Sequence, residues 1–138
     1  MKELNMSKTR SSVKALGEIA LKVTDLNKMQ KFYEEVIGLT LLKRFDKAVF
    51  FRIAEGFESH TQILALFDRD TTVTQERTTL DHIAFTISLS DFEKEKIRLE
   101  HCGVKVNLAE HEWVHWRSLY VLDPEGNTVE FVCYDEKV

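Results

Sequence analysis

The chain has 138 residues, 43% hydrophobic and 30% charged, a length and balance that suit one folded domain with its own core and exclude a disordered or fibrous chain. A formal net charge of −4 gives no basic footprint for a phosphate backbone, which argues against a nucleic-acid partner and for a small neutral or weakly charged molecule. No apolar run is long enough to span a bilayer and the opening MKELNMSKTRSS lacks the apolar core of a signal peptide, so the expectation is a cytoplasmic protein without a membrane partner.

Residues 1–13 read as a polar arm ahead of a single domain over 14–138. In 16–23, LGEIALKV, apolar Ile19, Leu21 and Val23 alternate with Glu18, Ala20 and Lys22, the period of a strand with one buried face. Asp25 then offers a helix N-cap. Leu26, Met29, Phe32, Tyr33, Val36 and Ile37 form a helical stripe, and Gly38 supplies the stop. Three further strands are expected: LTLLKRF, AVFFRI after a short turn at Asp46 and Lys47, and TQILALF after a loop over 54–60. The first half thus reads β-α-β-β-β.

From Leu80 the order repeats. LDHIAFTI is a strand, Ser90 with Glu93 forms a capping box, and DFEKEKIRLEHC is a helix closed by Gly103. VKVNLAE, a strand from about residue 113 to 122, the turn DPEGN and TVEFVCY complete the unit. The modules span about 14–70 and 79–135. Cys102 and Cys133 lack metal-ligand or redox spacing and read as reduced core thiols.

An internal repeat of this kind predicts an α+β fold with two βαβββ modules about a pseudo-two-fold axis, their polar faces lining a concave sheet. Aligning LGEIA with LDHIA makes Glu18 the counterpart of His82, and matching the last strands, TQILA and TVEFV, at an offset of 130 − 62 = 68 makes Gln62 the counterpart of Glu130. Four polar residues among apolar neighbours then form two repeat-related pairs. Glu18, Gln62, His82 and Glu130 are an oxygen and nitrogen donor set suited to one divalent ion among Ni, Co, Mn, Zn and Fe, with two carboxylates balancing its charge. The other reading is a hydrogen-bonded structural cluster without a metal.

If DPEGN closes a tight hairpin, Tyr120 lies opposite Glu130 and Ser118 opposite Val132. Trp116, Ser118 and Tyr120 then share the cleft side and are candidate substrate-binding residues. Arg117 and His115 fall on the helix side or the rim, and His60, just ahead of Gln62, reads as an exposed loop residue.

LGEIALKVTDLNKMQKFYEEVIGL, LDHIAFTI and above all SLYVLDPEGNTVEFV resemble the vicinal oxygen chelate superfamily, the glyoxalase, bleomycin-resistance and extradiol-dioxygenase group, over about residues 14–135. The resemblance implies an eight-stranded concave sheet cleft assembled from the two modules, with a metal held at Glu18, Gln62, His82 and Glu130. It further implies a glyoxalase-type lyase or isomerase in which the ion polarises a carbonyl, stabilises an enediolate, and Glu130 or Glu18 moves the proton. A non-catalytic small-molecule binding protein like the bleomycin-resistance members is the alternative. The family's dioxygenases use two histidines and one carboxylate, whereas Glu18 stands where many relatives have histidine, so dioxygenase is the minor branch. A homodimer is also implied by the resemblance.

Overall fold

A computed structural model describes residues 11–69 and 80–138; residues 1–10 of the expected polar arm and the segment between the modules lie outside them. The first module runs β1 (Glu18–Val23), α1 (Leu26–Lys31) with a π-helical continuation over Phe32–Ile37, β2 (Thr40–Arg44), β3 (Ala48–Ala54) and β4 (Gln62–Asp68). The second runs β5 (His82–Thr86), α2 (Phe92–His101), β6 (Asn107–His111), β7 (Trp116–Leu122) and β8 (Thr128–Tyr134). Each module forms a four-stranded mixed sheet, ordered β1-β4-β3-β2 and β5-β8-β7-β6, with the first strand parallel to the last. The repeat is therefore one of topology as well as of sequence.

Local signals set most boundaries. The Asp25 carboxylate accepts from the Lys28 backbone N–H at 3.0 Å, the expected N-cap. The helical segment ends where Gly38 takes a positive φ of 89° and both Gly38 and Leu39 donate to the Tyr33 carbonyl. The second helix departs from expectation. Ser90 lies in a 3₁₀ turn, Leu89–Asp91, and no side chain caps α2, because Ser88 donates to the Asp91 carboxylate instead. β7 begins at Trp116 rather than near 113, since Glu112–Val114 is a 3₁₀ turn and His115 sits at a left-handed φ of 58°. At Gly56 an added Cβ would lie 1.7 Å from the His60 carbonyl oxygen, so the turn before β4 requires glycine.

The apolar faces of both sheets and the inner sides of both helices share one core, from Leu21, Met29, Tyr33, Phe51 and Leu66 to Phe85, Leu99, Leu119 and Phe131. Each such side chain taken out of water contributes about 1.5–3 kcal/mol. Cross-module hydrogen bonds reinforce this packing. Tyr33 donates to Asp123, the Glu125 carboxylate accepts from the Thr24 and Asp25 backbone N–H groups, and the Arg98 guanidinium donates to the Val36 and Ile37 carbonyls. Cys133 belongs to this core but Cys102 does not. It follows Leu99, the last buried residue of α2, and is exposed.

Because the helix sides of both sheets face inward, their other faces turn outward. Along β1 the residues Glu18, Ala20 and Lys22 are exposed, and along β5 so are His82, Ala84 and Thr86. Among the described residues no helix is long and apolar enough to cross a membrane.

Candidate functional site

The outward face of the second module carries the densest set of polar side chains. β5 and β8 run parallel with Ala84 beside Glu130, and β7 runs antiparallel to β8 with Tyr120 opposite Glu130 and Ser118 opposite Val132. The tight turn at Asp123–Asn127 fixes this register. Asp123 accepts from the Glu125 and Asn127 backbone N–H groups, and Gly126 takes a φ of 86°. Trp116, Ser118, Tyr120, Glu130 and His82 consequently project to one side, as the pairing argument predicts.

His82 Nε2 lies 3.0 Å from Glu130 Oε1, and His82 Nδ1 lies 2.7 Å from Asp81 Oδ2. A carboxylate only accepts, so Nδ1 carries a proton directed at Asp81. That leaves the Nε2 lone pair aimed at a carboxylate oxygen, an arrangement that requires a cation between them, either a proton or a metal ion. The bond to Asp81, then the charge of Glu130, raise the His82 pKa above that of a free histidine, while desolvation opposes them. Glu130 is only 5% exposed, and its second oxygen accepts from the Ser118 hydroxyl at 2.6 Å. A buried carboxylate fixed on one side and open towards an imidazole on the other is a preformed pair of ligands.

Tyr120 completes the set. Burial, then the negative charge of Glu130, push its phenol pKa up, so the hydroxyl stays protonated. His111 Nε2 is 2.9 Å from that hydroxyl. Tyr120 also lines a cavity of about 400 Å³ with Lys105, Asn107, Leu122 and Thr128, beside the His82 and Glu130 pair. Trp116 lies farther along β7, half-exposed, opposite Tyr134 and His111. Arg117 points to the other side, pairing with Asp135 and lying over the Phe92 ring.

The first module contributes differently. Glu18 is exposed on the outer face of β1, and among the described residues no three His, Cys, Asp or Glu side chains of one chain are placed to hold a metal ion together. His82 and Glu130 are brought together; Glu18 does not join them. Gln62 reaches the same cavity as His82, a space of about 430 Å³ along β5 that is otherwise lined largely by apolar side chains such as Ile19, Ile37, Ile53 and Phe85.

The strand register revises the repeat alignment. Glu130 pairs with Ala84, two residues beyond His82, whereas the residue paired with Ala20, two beyond Glu18, is Ala65. The counterpart of Glu130 is therefore Ala65 rather than Gln62. The offset used for Gln62 is wrong by three, an odd slip that exchanges the two faces of a strand. Gln62 alternates with Leu64 and Leu66, both fully buried in the core.

Asp81 and His111 are the residues that sequence reasoning passed over. Asp81 stands next to His82 but just before β5 begins, where strand alternation does not keep neighbours apart. His111 is visible only once the β6 to β7 pairing is known.

A family model described as the Glyoxalase/Bleomycin resistance protein/Dioxygenase superfamily matches residues 15–131. The chain is similar to the glutathione transferase FosA of Serratia marcescens, with 31% identity over 121 residues, 86% of this chain and 79% of the relative. It is likewise similar to the metallothiol transferase FosB of Lysinibacillus sphaericus (strain C3-41), at 29% over 122 residues, 87% of this chain and 82% of the relative. Among solved structures, it resembles a mutant of the fosfomycin resistance protein FosX of Listeria monocytogenes complexed with Mn(II) and 1S,2S-dihydroxypropylphosphonic acid. The TM-score is 0.68 at 25% identity, with 91% of this chain and 94% of that one covered.

Proposed function

The chain belongs to the glyoxalase/bleomycin resistance protein/dioxygenase superfamily, and from that premise we propose that it is a metal-dependent enzyme acting on an oxygen-bearing small molecule. The observation that carries the reading is the His82 and Glu130 pair, with Nε2 and Oε1 converging at 3.0 Å and each residue held from behind by Asp81 or Ser118. His82, Glu130 and a Glu18 are the proposed ligands, and Gln62 is left out because its strand register ties it to the core face. The FosX complex with Mn(II) supports a divalent ion of this kind.

Since Glu18 does not reach the pair within one chain, we take the site to form between two copies, His82 and Glu130 meeting the partner's Glu18. The outward orientation of both sheet faces favours this arrangement: a second copy covers what one chain leaves exposed. When bound, the ion supplies a Lewis acid that polarises an oxygen of the substrate. Tyr120, opposite Glu130 in the ladder and lining the adjacent cavity, forms a wall of the site beside the ligand pair. The cavity beside it, with Asn107 and Thr128, seats the rest of a small molecule.

Two chemistries fit these roles. Addition of a thiol is favoured by the relatives named as glutathione and metallothiol transferases. A glyoxalase-type proton shift through an enediolate, the lyase or isomerase reading, is favoured by Glu130, a carboxylate able to take a proton once substrate displaces it. A cytoplasmic location accompanies either reading.

The test begins with elemental analysis of protein purified without chelators, beside a His82→Ala control. About one equivalent of a divalent metal per chain, lost in the control, is expected. The loaded protein is then offered fosfomycin with glutathione or cysteine, and separately the hemithioacetal of a 2-oxoaldehyde. Thiol adduct or rearranged thioester decides between the chemistries. Protein that takes up no metal after incubation with Mn(II), Co(II), Ni(II) or Zn(II) would leave a ligand-binding protein as the better reading.

A further inference from the structure

Two residues support the proposed ligands from behind, Asp81 for His82 and Ser118 for Glu130. A third connection reaches the site from the edge of the sheet. In the β6 to β7 ladder Tyr120 pairs with Asn107, Ser118 with Ala109, and Trp116 with His111. His111 and Tyr120 are thus separated along the ladder by one intervening pair of outward-facing residues, and direct contact requires both side chains to lean towards each other. The intervening pair is Ala109 and Ser118, two small residues that leave room for this. The contact is made, with 2.9 Å between His111 Nε2 and the Tyr120 hydroxyl.

Tyr120 stands directly opposite Glu130 in the β7 to β8 ladder, and after burial the charge of that carboxylate helps to raise its phenol pKa. A phenol has one proton and two acceptor positions. We infer an arrangement in which that proton points to Glu130, its neighbour across the ladder, while the oxygen accepts from the Nε2–H of His111. The result is a relay of donors running from His111 through Tyr120 to Glu130, in which each link fixes the orientation of the next. A tyrosine without the histidine is free to rotate out towards the open cavity.

We propose that His111 is a positioning residue, which holds Tyr120 over Glu130 and so sets how tightly the site binds a divalent ion. The inference rests on the metal reading above. Partners at this distance from an ion change affinity by about 10- to 100-fold when removed, and the lower end is expected for a group acting through Tyr120.

The experiment is a double-mutant cycle read as the dissociation constant for Mn(II) alone, by calorimetry and by the EPR signal of free Mn(II), on wild type, H111A, Y120F and the double variant. Binding about 10-fold weaker in H111A, similarly weak in Y120F and no weaker in the double variant is the result expected of one relay. H111Q, whose amide N–H has similar reach, should recover most of the affinity, and it keeps the test readable where H111A folds poorly. A histidine that merely braces the β6 to β7 hairpin lowers the unfolding midpoint while leaving the Mn(II) constant unchanged, and that outcome overturns the inference. So do strictly additive losses. Wild-type protein that binds no Mn(II) removes the metal reading and this inference together, whereas wild-type binding with unaltered H111A removes this inference alone.

Discussion

The Tyr33 hydroxyl donates a 2.7 Å hydrogen bond to Oδ2 of Asp123, across 90 residues of sequence, and so ties the helical segment of one module to the last hairpin of the other. Both ends are buried. Asp123 also accepts from the backbone N–H groups of Glu125 and Asn127 and from the Asn127 side chain. The residue that shapes the β7 to β8 turn is thus the one that receives the other module. Tyr33→Phe leaves Asp123 three partners and should cost about 1–2 kcal/mol. Asp123→Ala strands several buried donors at once and should cost about 3 kcal/mol or more. Urea unfolding of the two variants measures both, and equal losses would contradict the view of Asp123 as the hub.

How much of this was readable beforehand divides along physical lines. The pairing of Tyr120 with Glu130 follows from the sequence because a five-residue turn with Pro124 and Gly126 leaves one sensible register. The corresponding step in the first module is not readable. The loop before β4 contains Glu58 and Ser59 at positive φ and a glycine pressed against a carbonyl, so its length gives no register and counting residues does not place Gln62 correctly. The arrangement of the modules is equally hidden, since the alternation within each strand is the same whether its outer face meets the other half of the chain or a second copy.

The proposed site between two copies makes a prediction that no single-chain site shares. A homodimer of E18A and a homodimer of H82A should each bind little metal, because every site in either lacks a ligand. When the two are unfolded together and refolded as mixed dimers, one of the two sites regains Glu18 from one chain and His82 and Glu130 from the other. About one equivalent per mixed dimer should return. Metal analysis after separating the mixed dimer by a tag on one variant checks this; no recovery points to a site contained in one chain.

His82 links the site to pH. Its folded-state pKa is raised, first by the bond to Asp81 and then by the charge of Glu130. A raised pKa means that the protonated ring contributes stability fully below the unfolded value of about 6.5, and that this contribution is lost as pH climbs through the higher folded value. Metal-free protein should therefore show a urea midpoint that falls from about pH 6 to pH 8, with a flatter profile in H82N. Metal uptake should run the other way, strengthening over the same interval as the proton leaves Nε2. Opposite slopes for stability and metal affinity in one protein identify the proton and the ion as competitors for the same lone pair.

Gln62 supplies the sharpest contrast between an alignment of letters and an alignment of strands. If it were the equivalent of Glu130, Gln62→Ala would remove a ligand and metal content would drop as it does in H82A. The ladder instead makes Ala65 the equivalent, and sets Gln62 in alternation with Leu64 and Leu66 at the edge of the apolar cavity. Q62A should then keep its full equivalent of metal and lose about 1 kcal/mol or less of stability, the cost of a partly exposed polar contact. The converse substitution probes the equivalence directly. Ala65→Glu places a carboxylate at the position that the fold matches to Glu130, where the side chain is fully buried; without a histidine beside it in β1 there is no partner for the charge, and a loss of about 3 kcal/mol or more is expected. A metal-deficient Q62A beside a stable A65E would reverse the assignment.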